Sequence, residues 1–110
     1  MHPERIYKIC TAQEWQETLA HGDFPGAAVD HEDGFVHLST AAQVRETAAR
    51  YFAEISDLRL FEVVASCLGN DLKWEPSRGG DLFPHAYTQV TRDLIARDWP
   101  LPLDGKGGHI

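Results

Sequence analysis

The chain begins with a strand pattern that is followed at once by the signature of a helix start. Residues 6–10 alternate apolar and polar side chains of β-branched and aromatic types, which is typical of a half-buried strand. Thr11 and Glu14 are spaced so that each side chain can accept a hydrogen bond from the other's backbone N–H, which forms a capping box. Gly22 can supply a left-handed stop, so the pattern predicts a helix over residues 12–21.

A second strand and a second helix follow in the same order. Residues 23–33 contain a proline, a glycine and several acids, which predicts a loop, and the apolar run at residues 35–38 predicts a strand. Thr40 and Gln43 repeat the capping box and predict a helix that runs through Glu54. The apolar stripe of this helix consists of Val44, Ala48, Tyr51, Phe52 and Ile55.

The C-terminal half carries strand patterns without another strong helix. Residues 58–64 and 72–75 are predicted strands, and residues 88–95 are a candidate for the last strand. This order favours a single α+β domain with a largely antiparallel sheet and two main helices, because helices keep alternating with strands in a doubly wound parallel sheet. We expect an ordered core over residues 6–98 and an extended tail over residues 99–110.

Composition and charge exclude several classes of protein. A chain of 110 residues is long enough for one core, and its formal charge of −7 repels nucleic-acid phosphates and anionic lipids. We therefore expect neither general nucleic-acid binding nor membrane binding. Cys10 and Cys67 lack the spacing of a zinc site and are interpreted as buried free thiols. The start of the chain has no signal-peptide pattern, so we expect a cytoplasmic protein that is a monomer or a weak dimer.

The first candidate site lies where the second strand passes into the second helix. A period of two puts His37 and Ser39 on one side of the strand, and Val36 and Leu38 on the side that can enter the core. Backbone N–H groups and the helix dipole near Ser39 and Thr40 favour an anionic or polyhydroxylated ligand. In the structural alternative, one of the two hydroxyls only caps the helix and His37 is a hydrogen-bonded histidine without a ligand.

The second candidate site is the segment 74–87, which combines aromatic residues with prolines, glycines and charges. Loops of this composition often carry function. Arg78 lies beside two glycines and can bind a phosphate or a carboxylate with its fork of N–H groups. In the alternative, Arg78 pairs with Asp81 in a tight turn whose aromatic side chains cover the core. No metal-binding motif is formed by the acids and histidines Asp30, His31, Asp33, His37 and His85.

These segments carry a resemblance to the family called domain of unknown function 952. The resemblance runs from Ile6 to about Tyr87. Its matching positions are residues 6–9, Trp15, residues 33–40, Gln43, Tyr51, Phe52, Trp74, Glu75, residues 83–85 and Tyr87. That family in turn resembles the ADP-ribosyltransferase fold, which implies a split antiparallel sheet around an NAD cleft.

A local similarity adds a chemical expectation. Residues 36–39 resemble the histidine-centred strand of RNA 2′-phosphotransferases, which use NAD to remove a phosphate by ADP-ribosyl transfer. The resemblance implies that His37 contacts the ribose or the phosphate and that Ser39 supports it. Lys8 takes the place of a histidine that holds the nicotinamide ribose in those enzymes, so the similarity is incomplete at that position.

Three functions remain open from the sequence. The first is an enzyme that transfers or cleaves the ribosyl group of NAD, with His37 and Glu75 as its catalytic residues. The second is a non-catalytic module that binds NAD or a related nucleotide in the same cleft. The third is a protein–protein contact through the segment 74–87. No metal is expected, and the predicted ligand-binding residues are Tyr7, Lys8, Ser39, Thr40, Trp74, Arg78, Phe83, His85 and Tyr87.

Overall fold

The first predicted strand lies in the middle of the larger of two sheets. A computed structural model describes residues 2–77 and 80–101 of the chain. Strand β1 covers Arg5–Thr11 and pairs antiparallel with β3 (Ser39–Thr40) on one side. On its other side β1 pairs antiparallel with β4 (Leu58–Val64), in agreement with the strands predicted at both positions.

A smaller sheet lies beside the larger one, and the chain passes between them near Leu38. The larger sheet is completed by β7 (Ile95–Leu101), which pairs antiparallel with β4 and gives the order β3-β1-β4-β7. The smaller sheet has the antiparallel order β2-β6-β5, with β2 at Val36–His37, β6 at Leu82–Ala86 and β5 at Leu72–Pro76. The described residues therefore form one compact α+β unit of antiparallel sheets and a few helices.

Helix α1 begins and ends where its capping residues predict. It covers Ala12–His21, with the Thr11 hydroxyl accepting from the backbone N–H of Glu14 at 3.1 Å. The Glu14 carboxylate accepts in return from the Thr11 N–H at 2.8 Å. Gly22 follows with a φ of 83°, a left-handed conformation that a residue with a Cβ adopts only at a cost.

The longest helix of the described residues starts as predicted but ends early. The capping box of Thr40 and Gln43 is present. The helix covers Ala41–Tyr51 and is called α3, because a short helix α2, described below, precedes it in the chain. Glu54, to which the pattern extends the helix, instead has a positive φ of 63°. Tyr51 is consequently 64% exposed and does not belong to the core stripe in which the sequence pattern places it.

The predicted loop at residues 23–33 contains a further helix, α2, at Ala28–Asp33. The residue before this helix is Ala27, whose side chain cannot cap it. Instead the carboxylate of Asp30 reaches back and accepts from the Ala27 N–H at 2.9 Å. The loop prediction was wrong because a single buried acid, indistinguishable in sequence from its solvated neighbours, organises this turn.

The middle strand of the smaller sheet falls in the segment 74–87, where the sequence predicts a functional loop. Pro84 lies within β6, a position that usually argues against a strand because proline has no N–H to donate. Its carbonyl accepts from the Leu38 N–H at 3.0 Å, just beyond the end of β2. The nitrogen of an antiparallel residue faces the same way as its carbonyl, so the missing N–H of Pro84 faces Leu38, and the hydrogen bonds between β6 and β5 stay intact.

The last strand lies further along the chain than predicted. A 3-10 helix at Arg92–Leu94 interrupts the candidate strand 88–95, and β7 then runs through residues of the predicted tail to Leu101. Residues 102–110 of that tail lie outside the described part of the chain.

Two apolar clusters pack against opposite faces of the larger sheet. Ile6 and Cys10 of β1 belong to one cluster, while Ile9 points to the other face and packs with Ala48 of α3. Burial raises the pKa of the Cys10 thiol to about 12, so this cysteine stays protonated and inert. Cys67 is exposed, which corrects the prediction that both thiols are buried. None of the helices among residues 2–77 and 80–101 is long and apolar enough to cross a membrane.

The capping geometry predicts the effect of a change at Thr40. We expect Thr40→Ala to lower the free energy of unfolding by about 1 kcal/mol, because the N–H of Gln43 loses its acceptor. Thr40→Ser keeps a hydroxyl at the cap and is the matched control. Urea unfolding of the three proteins measures the difference, and equal losses in both variants would contradict the capping role.

Candidate functional site

A cleft of about 380 Å³ lies where the two sheets meet beneath α2 and α3. It is called the central cleft below. Its walls come from β1, β2, β3 and β6 and from the two helices, so distant parts of the chain converge on it. The lining residues are Tyr7, Lys8, Ile9, Ala27, Val29, Asp33, His37, Leu38, Ser39, Thr47, Tyr51, Phe52, Ser77, Phe83 and His85.

Two histidines stand side by side in the wall of the central cleft. His37 of β2 and His85 of β6 are directly paired across the strands, and their ring centroids are 5.3 Å apart. Cross-strand partners share one face of a sheet, so both rings project to the same side. Leu38 points the other way and is 2% exposed, as the period of two predicts. The structure thus brings together the two segments singled out in the sequence.

The carboxylate of Asp30 is the polar centre behind His37. It lies 2.7 Å from His37 Nδ1 and accepts from the His37 backbone N–H at 3.0 Å. It also accepts from Lys8 Nζ at 3.1 Å, and from the N–H of Ala27 at 2.9 Å. The Asp30 side chain is 3% exposed, so a buried carboxylate ties β1, α2 and β2 together.

The surroundings of Asp30 keep it ionised although it is buried. Burial raises the pKa of its carboxyl, but the hydrogen bond from the His37 ring, the charge of Lys8 and the backbone N–H groups outweigh that effect. The pKa of Asp30 is lowered from 3.8 to about 2 as a result. A buried acid with this many donors is a fixed part of the framework.

A second carboxylate approaches the other nitrogen of the same imidazole. Asp33 Oδ2 lies 2.9 Å from His37 Nε2, and its side chain is 45% exposed. Both ring nitrogens of His37 donate to these carboxylates at the same time only when each carries a proton. His37 is therefore held between the buried acid Asp30 and the exposed acid Asp33.

His85 is oriented by a different acid. Its Nδ1 lies 2.7 Å from Glu75 Oε1, and the Tyr87 hydroxyl donates to the same oxygen at 2.7 Å. The hydrogen bonds from Tyr87 and then from His85 lower the pKa of Glu75, and the bond to Glu75 raises the pKa of Tyr87. An ionised carboxylate only accepts, so Nδ1 of His85 carries the proton of this hydrogen bond, and Nε2 is an acceptor when the ring is neutral.

Phe35 packs against both histidines, although the sequence analysis does not select it as a site residue. Its ring stacks on that of His85, with 4.2 Å between the ring centroids. The centroids of the His37 and Tyr87 rings lie 4.5 Å and 5.0 Å from that of Phe35. Aromatic contacts of this kind restrict the rings that they touch. Phe35 thus restricts the orientation of both imidazoles, and Glu75 restricts that of His85.

The two predicted hydroxyls beside His37 have different positions. Ser39 is 6% exposed and lines the central cleft, with its Oγ 3.3 Å from the Thr47 hydroxyl of α3. Thr40 does not line the cleft, because its hydroxyl accepts from the Gln43 N–H as the helix cap. Thr40 is therefore the N-cap of α3, and Ser39 and Thr47 supply the hydroxyls that line the cleft.

Lys8 and Tyr7 both line the central cleft, and the polar group of each side chain is bonded to a carboxylate. Lys8, a predicted ligand-binding residue, is 7% exposed, and its ammonium group is paired with Asp30, which neutralises its charge. The Tyr7 hydroxyl donates to Glu62 at 3.1 Å. Burial, followed by this hydrogen bond, raises the pKa of Tyr7, so it remains a neutral hydroxyl.

Of the remaining predicted ligand-binding residues, one lines the central cleft and another does not, because successive side chains of a strand point to opposite faces of its sheet. Phe83 is 7% exposed and lines the central cleft. Trp74 faces the opposite side of its sheet from Glu75, packs against the core, and stacks on His2 at 4.0 Å. The structure therefore does not bring Trp74 to the cleft. Arg78 lies outside the described residues.

The residues that the sequence analysis does not assign to the ligand site are mainly those placed by α2 and α3. Asp30 and Asp33 were considered only as metal ligands, and Val29, Thr47 and Tyr51 were not considered as cleft residues. No signal in one sequence separates Asp30 from its exposed acidic neighbours. Within residues 2–77 and 80–101, no group of three or more histidine, cysteine or acidic side chains has the arrangement of a metal site.

Removing the charge of Asp30 tests its role as the centre of the framework. Asp30→Asn leaves the buried ammonium group of Lys8 without its counter-charge, so we expect the free energy of unfolding to fall by roughly 3–5 kcal/mol. The double variant with Lys8→Met removes both charges and should lose less stability than Asp30→Asn alone. Urea unfolding at neutral pH measures this coupling, and additive effects of Lys8→Met and Asp30→Asn would contradict it.

The pKa of Asp30 also predicts a dependence of stability on acid. Because the pKa of Asp30 is lower in the folded protein than in the unfolded chain, its ionisation stabilises the fold at pH values above the unfolded-state pKa. This stabilisation is lost as the pH falls towards about 2. Between pH 5 and pH 2, the protein should lose on the order of 2 kcal/mol relative to the double variant that lacks the carboxyl. If the free energies of unfolding of the two proteins depend on pH in the same way, the pKa of Asp30 is not lowered and the prediction is wrong.

The chain is similar to solved structures over nearly all of its length. The crystal structure of protein CC0527 from Caulobacter crescentus is 46% identical in sequence, with a TM-score of 0.92 over 96% of this chain and 93% of that one. The solution NMR structure of CC0527 has a TM-score of 0.87 over 96% and 91% of the two chains. No curated protein matches. The model of the family described as "Protein of unknown function (DUF952)" matches residues 9–97, and the chain therefore belongs to the DUF952 family.

Proposed function

We propose that this protein is a non-catalytic binding domain for a nucleotide-type small molecule, and that the central cleft is the binding site. The proposal depends on one observation above all. Two imidazoles, His37 and His85, stand 5.3 Å apart in the wall of the cleft, and each has its Nδ1 within 2.7 Å of a carboxylate. Such fixed polar groups cost little entropy on binding and give a cleft its specificity.

The two histidines differ in the hydrogen bonds that they can make. His85 has its proton on Nδ1 and presents Nε2 as an acceptor, which suits a sugar hydroxyl. His37 is a donor at both nitrogens in the observed arrangement, which suits an oxygen with negative charge. A ribose phosphate offers both kinds of partner within one small molecule.

The remaining lining of the cleft fits the other parts of a nucleotide. Ser39 and Thr47 add two adjacent hydroxyls that can donate to or accept from a sugar. Tyr51, Phe52 and Phe83 supply the aromatic surface on which a base can stack. The volume of about 380 Å³ lies within the range of small-molecule sites, roughly 300–1,000 Å³.

The same geometry argues against transfer chemistry as the main function. Glu75, the predicted catalytic acid, is not among the lining residues, and its Oε1 accepts from both His85 and Tyr87. These contacts make Glu75 a positioning residue for His85. The charge of Lys8, a predicted ligand-binding residue, is neutralised by Asp30. Binding without turnover is the function that these contacts favour.

ADP-ribosyl transfer from NAD is the second candidate, and the pair of Glu75 and His85 favours it. In this reaction the bond between ribose C1′ and nicotinamide breaks, and an acceptor oxygen forms a new bond to C1′. The acceptor's proton would pass to Nε2 of His85, whose basicity Glu75 supports. The resemblance of the DUF952 family to the ADP-ribosyltransferase fold points to the same cofactor.

A protein–protein contact through the segment 74–87 has less support. The anchors that this function needs are exposed aromatic side chains. Trp74 instead packs against the core and Phe83 is 7% exposed. Tyr87 is 44% exposed, but its hydroxyl is bonded to Glu75.

A thermal-shift series with AMP, NAD and ribose 5-phosphate tests the proposed function. A ligand that binds only the folded protein stabilises it by about 2.7 kcal/mol at a hundred times its Kd, which raises Tm on the order of 10 °C. We expect at least one of these compounds to raise Tm. His85→Gln and Ser39→Ala should each reduce that shift, while Thr40→Ser should leave it unchanged.

An assay for nicotinamide release, run on the same samples, separates the two candidates. Binding without release supports the binding domain. Release that is lost in both His85→Gln and Glu75→Gln supports ADP-ribosyl transfer. If none of the three compounds raises Tm or shifts the NMR signals of the cleft residues, the central cleft is not a nucleotide site.

A further inference from the structure

The two acids that hold His37 differ in how tightly they are themselves held. Asp30 is 3% exposed and accepts from Lys8 Nζ and from the backbone N–H groups of Ala27 and His37 as well as the His37 ring. Asp33 is 45% exposed, and the contact with His37 Nε2 is the only hydrogen bond seen for its side chain within the described residues. Asp30 is fixed, and Asp33 can exchange.

We propose that Asp33 is an intramolecular latch whose carboxylate occupies, on His37 Nε2, the position that an anionic group of the ligand takes on binding. The ligand class is therefore a small molecule with a phosphate or carboxylate group, which enters the central cleft as Asp33 leaves. This inference rests on the proposed function, because it assumes that the cleft binds a small molecule. It adds the charge of the ligand and the residue that regulates access to it.

The position of Asp33 in the chain allows this exchange. It is the last residue of α2, and Gly34 follows with a φ of 83°, so the helix ends at the latch. Rotation about the side-chain bonds of Asp33 releases the carboxylate without breaking a helical hydrogen bond. The pair with His37 is partly exposed and therefore weak, so a ligand anion in the cleft can replace it.

The balance of charge around His37 favours an anion in place of Asp33. Asp30 and Asp33 carry two negative charges, which Lys8 and His37 balance when both ring nitrogens of His37 donate to these acids. When Asp33 moves away, one positive charge at the cleft wall remains without a partner. The formal charge of −7 of the whole chain opposes an anion at long range, but salt screens charges beyond about 8 Å at physiological ionic strength.

Binding of inorganic phosphate to Asp33→Asn and Asp33→Ala tests the latch. The matched control is Glu32→Gln, which removes the same charge from the neighbouring exposed residue of α2 that does not line the cleft. The readout is the 15N signal of His37 Nε2 during a phosphate titration, with ribose as an uncharged probe. Both Asp33 variants should bind phosphate roughly two- to fivefold more tightly than the parent, and Glu32→Gln should not.

The possible outcomes separate the latch from the proposed function. If the Asp33 variants and Glu32→Gln have the same phosphate affinity, the effect is one of net charge and the latch is wrong. If ribose moves the signals of His37 and His85 but phosphate moves them in no variant, the cleft binds a neutral ligand and only the latch fails. If neither probe nor any nucleotide moves them, both proposals fail.

Discussion

The hydrogen bonds and the ion pair of the buried Asp30 carboxylate are the interactions on which the rest of the structure depends. One side chain, 3% exposed, receives hydrogen bonds from β1, from the turn before α2, and from β2. These elements belong to two different sheets and a helix. Because an unpaired charge at this depth is very costly, Asp30, Lys8 and His37 have to be placed together or not at all.

The consequence of this constraint is a cleft with fixed polar groups. Asp30 orients His37 from one side, and Glu75 orients His85 from the other, while Phe35 packs on both rings. A site prepared in this way recognises a ligand by geometry that exists before binding. In the proposed latch, the exchangeable acid Asp33 would let the same cleft select ligands by charge.

Local patterns predict the ends of elements well and fail where a distant contact decides. The capping boxes at Thr11 and Thr40 act within four residues of chain, so the starts of α1 and α3 could be read from the sequence. The short helix α2 depends on the burial of Asp30, which a single sequence does not reveal. β6 contains Pro84, whose tolerance depends on the place where β2 happens to end. Both histidines and Glu75 could be chosen from the sequence as candidate residues, but Asp30 and Asp33, the two acids beside His37, could not.

The central claim is that a ligand lies against both imidazoles at once. Intermolecular NOEs between bound AMP and the carbon-bound ring protons of His37 and His85 test this claim most directly. The account predicts NOEs from ribose protons to both rings, and from base protons to Tyr51 or Phe52. NOEs confined to residues outside the central cleft, with none to either histidine, would contradict it.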